Sequence, residues 1–317
     1  MKFNPHQKML LGIAIGDTFG AGYEFVRNYD RDKLQEINIA EYRAHPSPNY
    51  KHKKGRYTDD TQMSIAVAEL LISGQEFNLE NLADFFVRCY KRDPIVGYAK
   101  GFQAFLDSIS TKEEFLAKII STSTRNGAAM RAVPIGVLDD PERVVNYATI
   151  NASLTHNTPN GRASSVIVSL LSHYQLFERR IATVEEIMPY IHNVDAETTS
   201  YIKKIAKMDV LDPELLFGQE HKDKGVPCDG MRTAGAVFYL LSRFTEPKDI
   251  LRESIRLGGD TDSVASISLG INFMHREVSD LPQSLYDELT NHAFGRDYLL
   301  ELGEKLADKF PIPRLIG

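Results

Sequence analysis

The chain has few of the residues and segments that mark secreted or membrane proteins. It contains only two cysteines, Cys89 and Cys228, in 317 residues, which excludes a disulfide framework and leaves at most one bridge. The N-terminal residues lack the apolar core of a signal peptide, and the longest apolar stretch near them is interrupted by Asp17. We therefore expect a cytoplasmic protein with no membrane-spanning segment.

Excess positive charge is also missing, as are repeats and flexible linkers. The chain has 37 Lys and Arg against 43 Asp and Glu, and its net charge of −6 offers no basic surface for nucleic acid. No Ser/Gly-rich linker or low-complexity tract divides it. We therefore expect one domain over residues 1–317 that does not bind membranes, and the net charge disfavours nucleic acid as a partner.

Strand-like alternation is rare, and apolar residues instead recur at helical spacing along most of the chain. The spacing predicts helices near residues 6–25, 60–74, 79–92, 97–108, 112–120, 127–138, 140–150, 160–177, 184–192, 196–207, 231–244, 247–256, 262–276, 283–293 and 296–308. Residues 42–57 and 208–230 look irregular. The basic run Lys51–Lys54 makes the first of these either a solvated loop or a lid that attracts an anionic substrate. The fold class predicted is a single compact all-α domain.

Two short acidic clusters, far apart in sequence, are the most informative feature that the chain does contain. They read Thr58-Asp59-Asp60-Thr61 and Gly258-Gly259-Asp260-Thr261-Asp262-Ser263, and each precedes an apolar run with helical spacing. Both clusters therefore fall at predicted helix N-termini, where a single Asp, Ser or Thr commonly caps the first turn. A cap requires only one acceptor, whereas each cluster supplies two carboxylates.

Four carboxylates brought together would repel one another strongly unless a cation neutralised them. The clusters contain only oxygen ligands, with no Cys or His. Such ligands suit Mg²⁺ or Mn²⁺, less well Ca²⁺, and argue against Zn²⁺. We therefore predict that the two clusters meet across the domain and form a metal site for two ions.

The first predicted helix carries Gly12, Gly16 and Gly20 on one face. Glycine lowers helix stability, so three of them on one face indicate a very close approach by another element. For Gly12 and Gly16 we interpret this approach as helix–helix packing. Asp17 and Glu24 share another face, and each is either a capping or exposed carboxylate or a group that faces a metal or ligand.

Five motifs, taken together, resemble those of a known family. They read Gly12-x-x-x-Gly16-Asp17-x-x-Gly20, Tyr57-Thr58-Asp59-Asp60-Thr61-Gln62, Asn126-Gly127-Ala128-Ala129-Met130-Arg131-x-x-Pro134-Ile135-Gly136, Thr155-His156 and Gly258-Gly259-Asp260-Thr261-Asp262-Ser263. Their types and order are similar to those of the ADP-ribosylglycohydrolases, which include dinitrogenase-reductase-activating glycohydrolase and the ADP-ribosylarginine and ADP-ribosylserine hydrolases. The resemblance implies a compact all-α fold with two Mg²⁺ or Mn²⁺ ions at the bottom of a cleft.

The resemblance also implies roles for individual residues. The implied metal ligands are Thr58, Asp59, Asp60, Asp260, Asp262 and Ser263. Glu24 lies where some relatives place a carboxylate that gates the metal site. Ser123, Asn126 and Gly127 fall in a loop that resembles the pyrophosphate-binding loop, and His156 resembles a histidine that contacts ADP-ribose. Asp93 is at about the sequence position of an acidic residue in arginine-type relatives, although Asp93-Pro94 is also an ordinary turn opening.

The implied function is metal-dependent hydrolysis of a glycosidic bond in an ADP-ribosylated protein or a small-molecule ADP-ribose conjugate. Asp59, Asp60, Asp260 and Asp262 would hold the ions, with Glu24 or an aspartate assisting proton transfer. Arginine-linked ADP-ribose is our first expectation, while serine-linked ADP-ribose, O-acetyl-ADP-ribose and ADP-ribosylated nucleic acid stay open. One alternative is a non-enzymatic ADP-ribose-binding or structural protein, since some lens crystallins belong to the family. The other is a phosphatase built on Asp260-x-Asp262, which would require a preceding strand.

Overall fold

Helices make up nearly all the regular structure in the computed structural model, which describes residues 2–26, 37–47, 50 and 52–312. The first eight α-helices are Pro5–Ala21 (α1), Asp59–Ser73 (α2), Leu79–Arg92 (α3), Lys100–Ser108 (α4), Lys112–Lys118 (α5), Gly127–Met130 (α6), Pro141–Ser153 (α7) and Pro159–Glu178 (α8). The next eight are Val184–Ile191 (α9), Ala196–Ala206 (α10), Pro213–Phe217 (α11), Gly230–Leu241 (α12), Pro247–Leu257 (α13), Thr261–Asn272 (α14), Gln283–Asp287 (α15) and Arg296–Lys309 (α16). Within the described ranges there is no strand, which confirms the all-helical prediction. None of the helices in those ranges combines the length and the hydropathy of a membrane span.

Two of the predicted helices are wrong in extent because apolar spacing hid a local break. Residues 127–138 form the short helix α6 and then a separate 3₁₀ turn, Val133–Val137, in place of one helix. Pro134 lies in that turn, and proline has no backbone N–H to continue an α-helix. The helix predicted over 283–293 ends at Asp287.

Two other expectations need smaller corrections. α1 ends at Ala21, before the predicted end at residue 25, and Gly22 forms its C-cap. The stretch 208–230, predicted to be irregular, contains the five-residue helix α11. Asp212 caps that helix by accepting hydrogen bonds from the backbone N–H groups of Glu214 and Leu215, and a proline follows the cap at the first helical position.

The glycines of α1 allow α14 to lie directly against it. A β-carbon at Gly12 would be 2.7 Å from the carbonyl oxygen of Leu269, and one at Gly16 would be 2.3 Å from that of Ala265. A β-carbon at Gly20 would be 2.4 Å from the carbonyl oxygen of Thr261. The helix-packing interpretation of Gly12 and Gly16 is therefore confirmed. Gly20 lies against α14 in the same way, and side chains of any size at these positions would separate the two backbones.

This close packing places α1 at the centre of the molecule. Residues 8–21 are buried without interruption, and α1 contacts α2, α14 and α16. A helix surrounded in this way has no polar face, so its sequence is apolar or small almost all round. The C-terminal half of α1 consequently lies beside the N-termini of α2 and α14, where the two acidic clusters are.

The glycine stripe leads to the first prediction. Gly16→Ala should lower the free energy of unfolding by about 1–3 kcal/mol, because the new methyl group forces α1 and α14 apart. Gly101→Ala on α4 is the matched control, since nothing lies within 4 Å of its β-carbon position. That change should stabilise the protein by up to about 1 kcal/mol through helix propensity alone. Urea unfolding measures both, and equal shifts of the same sign would contradict the packing argument.

Candidate metal centre and substrate-binding cleft

Asp17 of α1 holds the N-terminus of α2. Its carboxylate accepts hydrogen bonds from the backbone N–H groups of Thr58 and Thr61, at 2.9 and 3.0 Å, and from both threonine hydroxyls. Asp17 is fully buried, and burial raises its pKa to about 6 although these hydrogen bonds oppose the shift. Of the two roles open to Asp17, the structure shows the capping role, which is supplied here from a different helix.

The second acidic cluster is held beside the same end of α1. Thr261 donates a 2.8 Å hydrogen bond from its hydroxyl to the carbonyl oxygen of Gly20. Gly258 and Gly259 have φ angles of 71° and 76°, a region that favours glycine, and they turn the chain sharply into α14. The backbone N–H of Asp260 then donates to the carbonyl oxygen of Val226 at 2.9 Å. Asp260 and Asp262 thus occupy the cap and the first turn of α14.

The structure brings Glu24 together with the second cluster. Carboxylate oxygens of Glu24, Asp260 and Asp262 all lie within 4.8 Å of one another. Burial raises the pKa of Asp262 well above its ordinary value, and the charges of Glu24, Asp260 and Asp60 raise it further. Glu24 is therefore part of the acidic centre. Asp60 of the first cluster is also part of it, because its charge raises the pKa of Asp262.

The carboxylates of the first cluster are also buried and repelled by neighbouring negative charges. Burial raises the pKa values of Asp59 and Asp60 well above normal, and the charge of Asp17 and then of neighbouring carboxylates adds to the shift. Asp260 contributes to both shifts, so the two clusters act on each other across the interior. Asp60 is 2% exposed, and its Oδ1 atom has no hydrogen-bond partner among the described residues.

These features match a site for a hard divalent cation. Buried carboxylates that repel one another and leave an oxygen unpaired are stabilised when a cation joins them. The Thr58 hydroxyl donates its proton to Asp17 at 2.7 Å, so its lone pairs remain available. Cys228 lies beside Asp260, but burial and that carboxylate raise the pKa of its thiol, which keeps sulfur protonated and leaves oxygen as the ligand type.

Sequence reasoning missed the partner of Glu24. His45 accepts a hydrogen bond at Nδ1 from the backbone N–H of Ser47, so its proton is on Nε2, which donates to Glu24 Oε2 at 2.8 Å. The His45 ring stacks on Tyr50 at 4.1 Å, and the Tyr50 hydroxyl donates to the carbonyl oxygen of Gly97. His45 lies in an irregular segment, and nothing in the local pattern indicates this contact.

The segment 42–57, considered above as a lid, has fixed contacts at both ends. The hydroxyl of Tyr42 donates to the carbonyl oxygen of Leu285 at 2.6 Å, and that of Tyr57 donates to the carbonyl oxygen of Phe294 at 2.8 Å. Lys51, the first residue of the basic run, lies outside the described residues. Lys54 forms an ion pair with Glu288 at 3.4 Å.

The loop predicted to bind pyrophosphate lies next to the acidic centre. Asn126 donates from Nδ2 to Asp260 Oδ2 at 2.9 Å and to the Thr233 hydroxyl at 3.2 Å. Ser123 is half-buried, and its hydroxyl accepts a hydrogen bond from the backbone N–H of Arg125 at 3.2 Å. The structure therefore places Ser123 in the turn that leads to Asn126, and Asn126 in contact with a predicted metal ligand.

His156 lies on Gly127 at the start of α6. A β-carbon at Gly127 would be 2.7 Å from Cε1 of the His156 ring, so the loop requires glycine at this position. Burial, together with the nearby Arg131 and Arg125, lowers the pKa of His156 to about 3, and the ring is neutral at physiological pH. The histidine, the loop and the second acidic cluster thus form one continuous wall.

Asp93 has a different environment from the other predicted site residues. Its Oδ1 atom accepts a hydrogen bond from the guanidinium of Arg56 at 2.5 Å, and its backbone oxygen accepts one from Gln62. His292 is 3.9 Å from the other carboxylate oxygen. The Asp93 carboxylate is thus already engaged by an internal guanidinium.

The centre leads to the second prediction, a pair of identical changes with opposite effects. In excess chelator, Asp60→Asn should raise the free energy of unfolding, because it removes a buried repelling charge and because Oδ1 of that carboxylate has no hydrogen-bond donor among the described residues. Asp17→Asn should lower it by about 2–4 kcal/mol, because the amide turns N–H groups toward buried donors. Urea unfolding measures both changes.

The pH dependence of the free energy of unfolding provides the control for that comparison. Groups whose pKa is raised on folding destabilise the metal-free chain as the pH rises from the ordinary carboxyl pKa toward the raised values of Asp59, Asp60 and Asp262. Wild type should lose stability across that window, and saturating Mg²⁺ should reduce the loss. If Asp60→Asn and Asp17→Asn destabilise equally, the carboxylates do not carry the repulsion described here.

Comparison with known proteins gives a consistent result. The model of the ADP-ribosylglycohydrolase family matches residues 6–314. An ADP-ribosylhydrolase ARH3 from Xenopus tropicalis is 27% identical over 301 residues, which cover 89% of this chain and 77% of that protein. The ADP-ribosyl-[dinitrogen reductase] glycohydrolase of Rhodospirillum rubrum is 23% identical over 287 residues, covering 88% of each chain.

A solved structure shows the same fold. It is described as an ADP-ribosylglycohydrolase-related protein complex, and it superposes on this chain with a TM-score of 0.70. The match covers 96% of this chain and 98% of the other, at 18% sequence identity. At that identity the likeness concerns the helical architecture alone.

Proposed function

The chain belongs to the ADP-ribosylglycohydrolase family, a family of glycosyl hydrolases, and we propose that it releases ADP-ribose from ADP-ribosylated substrates at the acidic centre. The observation that carries this proposal is the convergence of Glu24, Asp260 and Asp262 beside the loop that contains Asn126. Acidic ligands and an anion-binding loop on one wall suit a substrate that has both a ribose and a pyrophosphate.

The donor set supports a divalent metal centre, and we propose that it takes two ions. The residues that would hold them are Thr58, Asp59, Asp60, Asp260, Asp262 and Ser263, all of them buried. Mg²⁺ or Mn²⁺ bound there would neutralise the carboxylates and supply Lewis-acid polarisation of substrate oxygens. Asp17 keeps Thr58 in place, and Asn126 fixes the orientation of Asp260.

The loop and His156 would bind the ADP-ribose portion. The first N–H groups of a helix have no acceptor within it, so those of Gly127 and Ala128 at the start of α6 are available to an anion. Gly127 keeps the backbone accessible, because any side chain there would collide with His156. Ser123 and Asn126 shape the turn before these groups and would contact the pyrophosphate oxygens.

Proton transfer is best assigned to Glu24 among the carboxylates. Glu24 is partly exposed, whereas Asp59, Asp60, Asp260 and Asp262 are buried. In the mechanism, water attacks the anomeric carbon and passes its proton to Glu24, the bond to the leaving nitrogen or oxygen breaks, and Glu24 returns the proton to that leaving atom. His45 would hold Glu24 in position during this step through its Nε2–H.

Three types of ADP-ribose linkage are compatible with the proposed function. Arginine-linked ADP-ribose remains part of the proposal, but Asp93 lends it little support, because Arg56 already pairs with that carboxylate. Serine-linked ADP-ribose and O-acetyl-ADP-ribose fit the same ADP-ribose contacts. A phosphatase built on Asp260-x-Asp262 is not supported, since these residues begin α14 and no strand precedes them in the described part of the chain.

The third prediction tests this function directly. Purified chain should release ADP-ribose from arginine-linked or serine-linked ADP-ribosyl peptides in Mg²⁺ or Mn²⁺, and excess chelator should abolish turnover. Asp262→Asn should lower kcat by at least about a hundredfold with retained helical content, because it removes a buried ligand. Gly101→Ala should turn over substrate like wild type, because nothing lies within 4 Å of the β-carbon position at Gly101. Full turnover in chelator, or none on any ADP-ribose conjugate, would contradict the proposal.

A further inference from the structure

A buried arginine lies directly behind His156. Arg131 is 1% exposed, and no ion pair joins it to a carboxylate within the described ranges. Its guanidinium instead donates to the side-chain and backbone oxygens of Asn151, at 2.7 and 2.8 Å, and lies 4.7 Å from the centroid of the Phe86 ring. A buried charge without a counter-ion is destabilising, so the burial of Arg131 here points to a role beyond packing.

The remaining hydrogen bond of Arg131 leads to His156. Its Nη2 atom donates to the Thr155 hydroxyl at 2.8 Å, and that hydroxyl is 2.6 Å from Nδ1 of His156. A guanidinium can only donate, so the Thr155 oxygen must be the acceptor in the first contact. The hydroxyl proton of Thr155 is then free to point in one other direction.

The position of that proton determines the form of the His156 ring. Nδ1 is the one other hydrogen-bonding atom within reach of the Thr155 hydroxyl among the described residues. If Nδ1 carried a proton, the buried Thr155 hydroxyl would have no acceptor, which is unfavourable. If Nδ1 is unprotonated, the Thr155 hydroxyl accepts from Arg131 and donates to His156, so both its hydrogen bonds are made. The neutral ring then carries its proton on Nε2.

We propose that Arg131 and Thr155 are positioning residues that hold His156 as the Nε2–H tautomer, so that it donates a hydrogen bond to an acceptor oxygen of the bound ADP-ribose. Nε2 lies 2.9 Å from the position that a β-carbon at Gly127 would take, and it has no hydrogen-bond partner in the part of the chain that the structure describes. The geometry makes His156 a fixed donor, and it leaves no role for this ring as a general base.

The proposal rests on the proposed function, because it takes ADP-ribose as the ligand beside His156. Nε2–H of His156 is a neutral donor to that ligand. The low pKa of His156 then keeps that donor unchanged across the physiological range.

The first part of the test is independent of activity. Nitrogen-15 NMR of the ¹⁵N-histidine-labelled chain, with the His156 signals assigned by their loss in His156→Gln, reports which ring nitrogen carries the proton. We expect an unprotonated Nδ1 and a protonated Nε2 that do not titrate between about pH 5 and pH 8. A proton on Nδ1, or a ring that titrates in that range, would overturn the assignment.

The second part measures ADP-ribose binding by calorimetry in the presence of Mg²⁺. Thr155→Val removes the donor to Nδ1, should produce a mixture of tautomers, and should weaken ADP-ribose binding about tenfold. Thr155→Ser keeps the hydroxyl and should restore both the tautomer and the affinity. Thr149→Val is the matched control on α7, because that hydroxyl bonds only the backbone oxygen of Val145 in the described structure. Thr155 is chosen over Arg131 because removing the guanidinium would also disturb the buried core.

The outcomes separate this proposal from the proposed function. Equal ADP-ribose affinity in wild type and Thr155→Val would show that the Arg131–Thr155 pair does not position His156, while hydrolase activity would still be judged from wild-type turnover. Failure of Thr155→Ser to restore the tautomer would also contradict the proposal. If wild type bound no ADP-ribose, the proposed function would fail, and so would the ligand assignment made here.

Discussion

The contact between α1 and the N-termini of two other helices is the constraint on which the rest of the structure depends. Asp17 accepts four hydrogen bonds from Thr58 and Thr61 at the start of α2, and Gly20 accepts one from Thr261 at the start of α14. The glycine stripe of α1 allows α14 to come close enough for this second contact. One helix thereby fixes two helix starts that lie far apart in sequence.

The chemistry of the site follows from that placement. Helix N-termini favour acidic residues, so two of them held side by side concentrate carboxylates in a buried space. Burial and mutual repulsion raise the pKa values of Asp59, Asp60 and Asp262. Oδ1 of Asp60, which no donor reaches within the described ranges, indicates where a cation would be most stabilising. Asn126 connects this centre to the loop before α6, and His156 closes the same wall.

Much of this arrangement was predictable from sequence, and the remainder depends on contacts that have no local signal. Apolar spacing placed α3 at its observed bounds, and residue types alone indicated the two acidic clusters and the family. The apolar spacing wrongly predicted one helix over residues 127–138, because such a pattern does not show that Pro134 lacks a backbone N–H donor. The His45–Glu24 and Arg56–Asp93 contacts join irregular segments, and the buried Arg131 depends on oxygens of α7 and the turn after it.

The central claim is that two acidic helix starts form one divalent metal centre. Titrating chelator-treated chain with Mn²⁺, followed by electron paramagnetic resonance, tests it most directly, because two ions held by shared carboxylates interact magnetically. The account predicts binding of two Mn²⁺ with a coupled signal, which Asp60→Asn and Asp262→Asn each abolish although they alter different helices. Unchanged free-Mn²⁺ signal in wild type, or two ions that bind without coupling and survive either substitution, would contradict it.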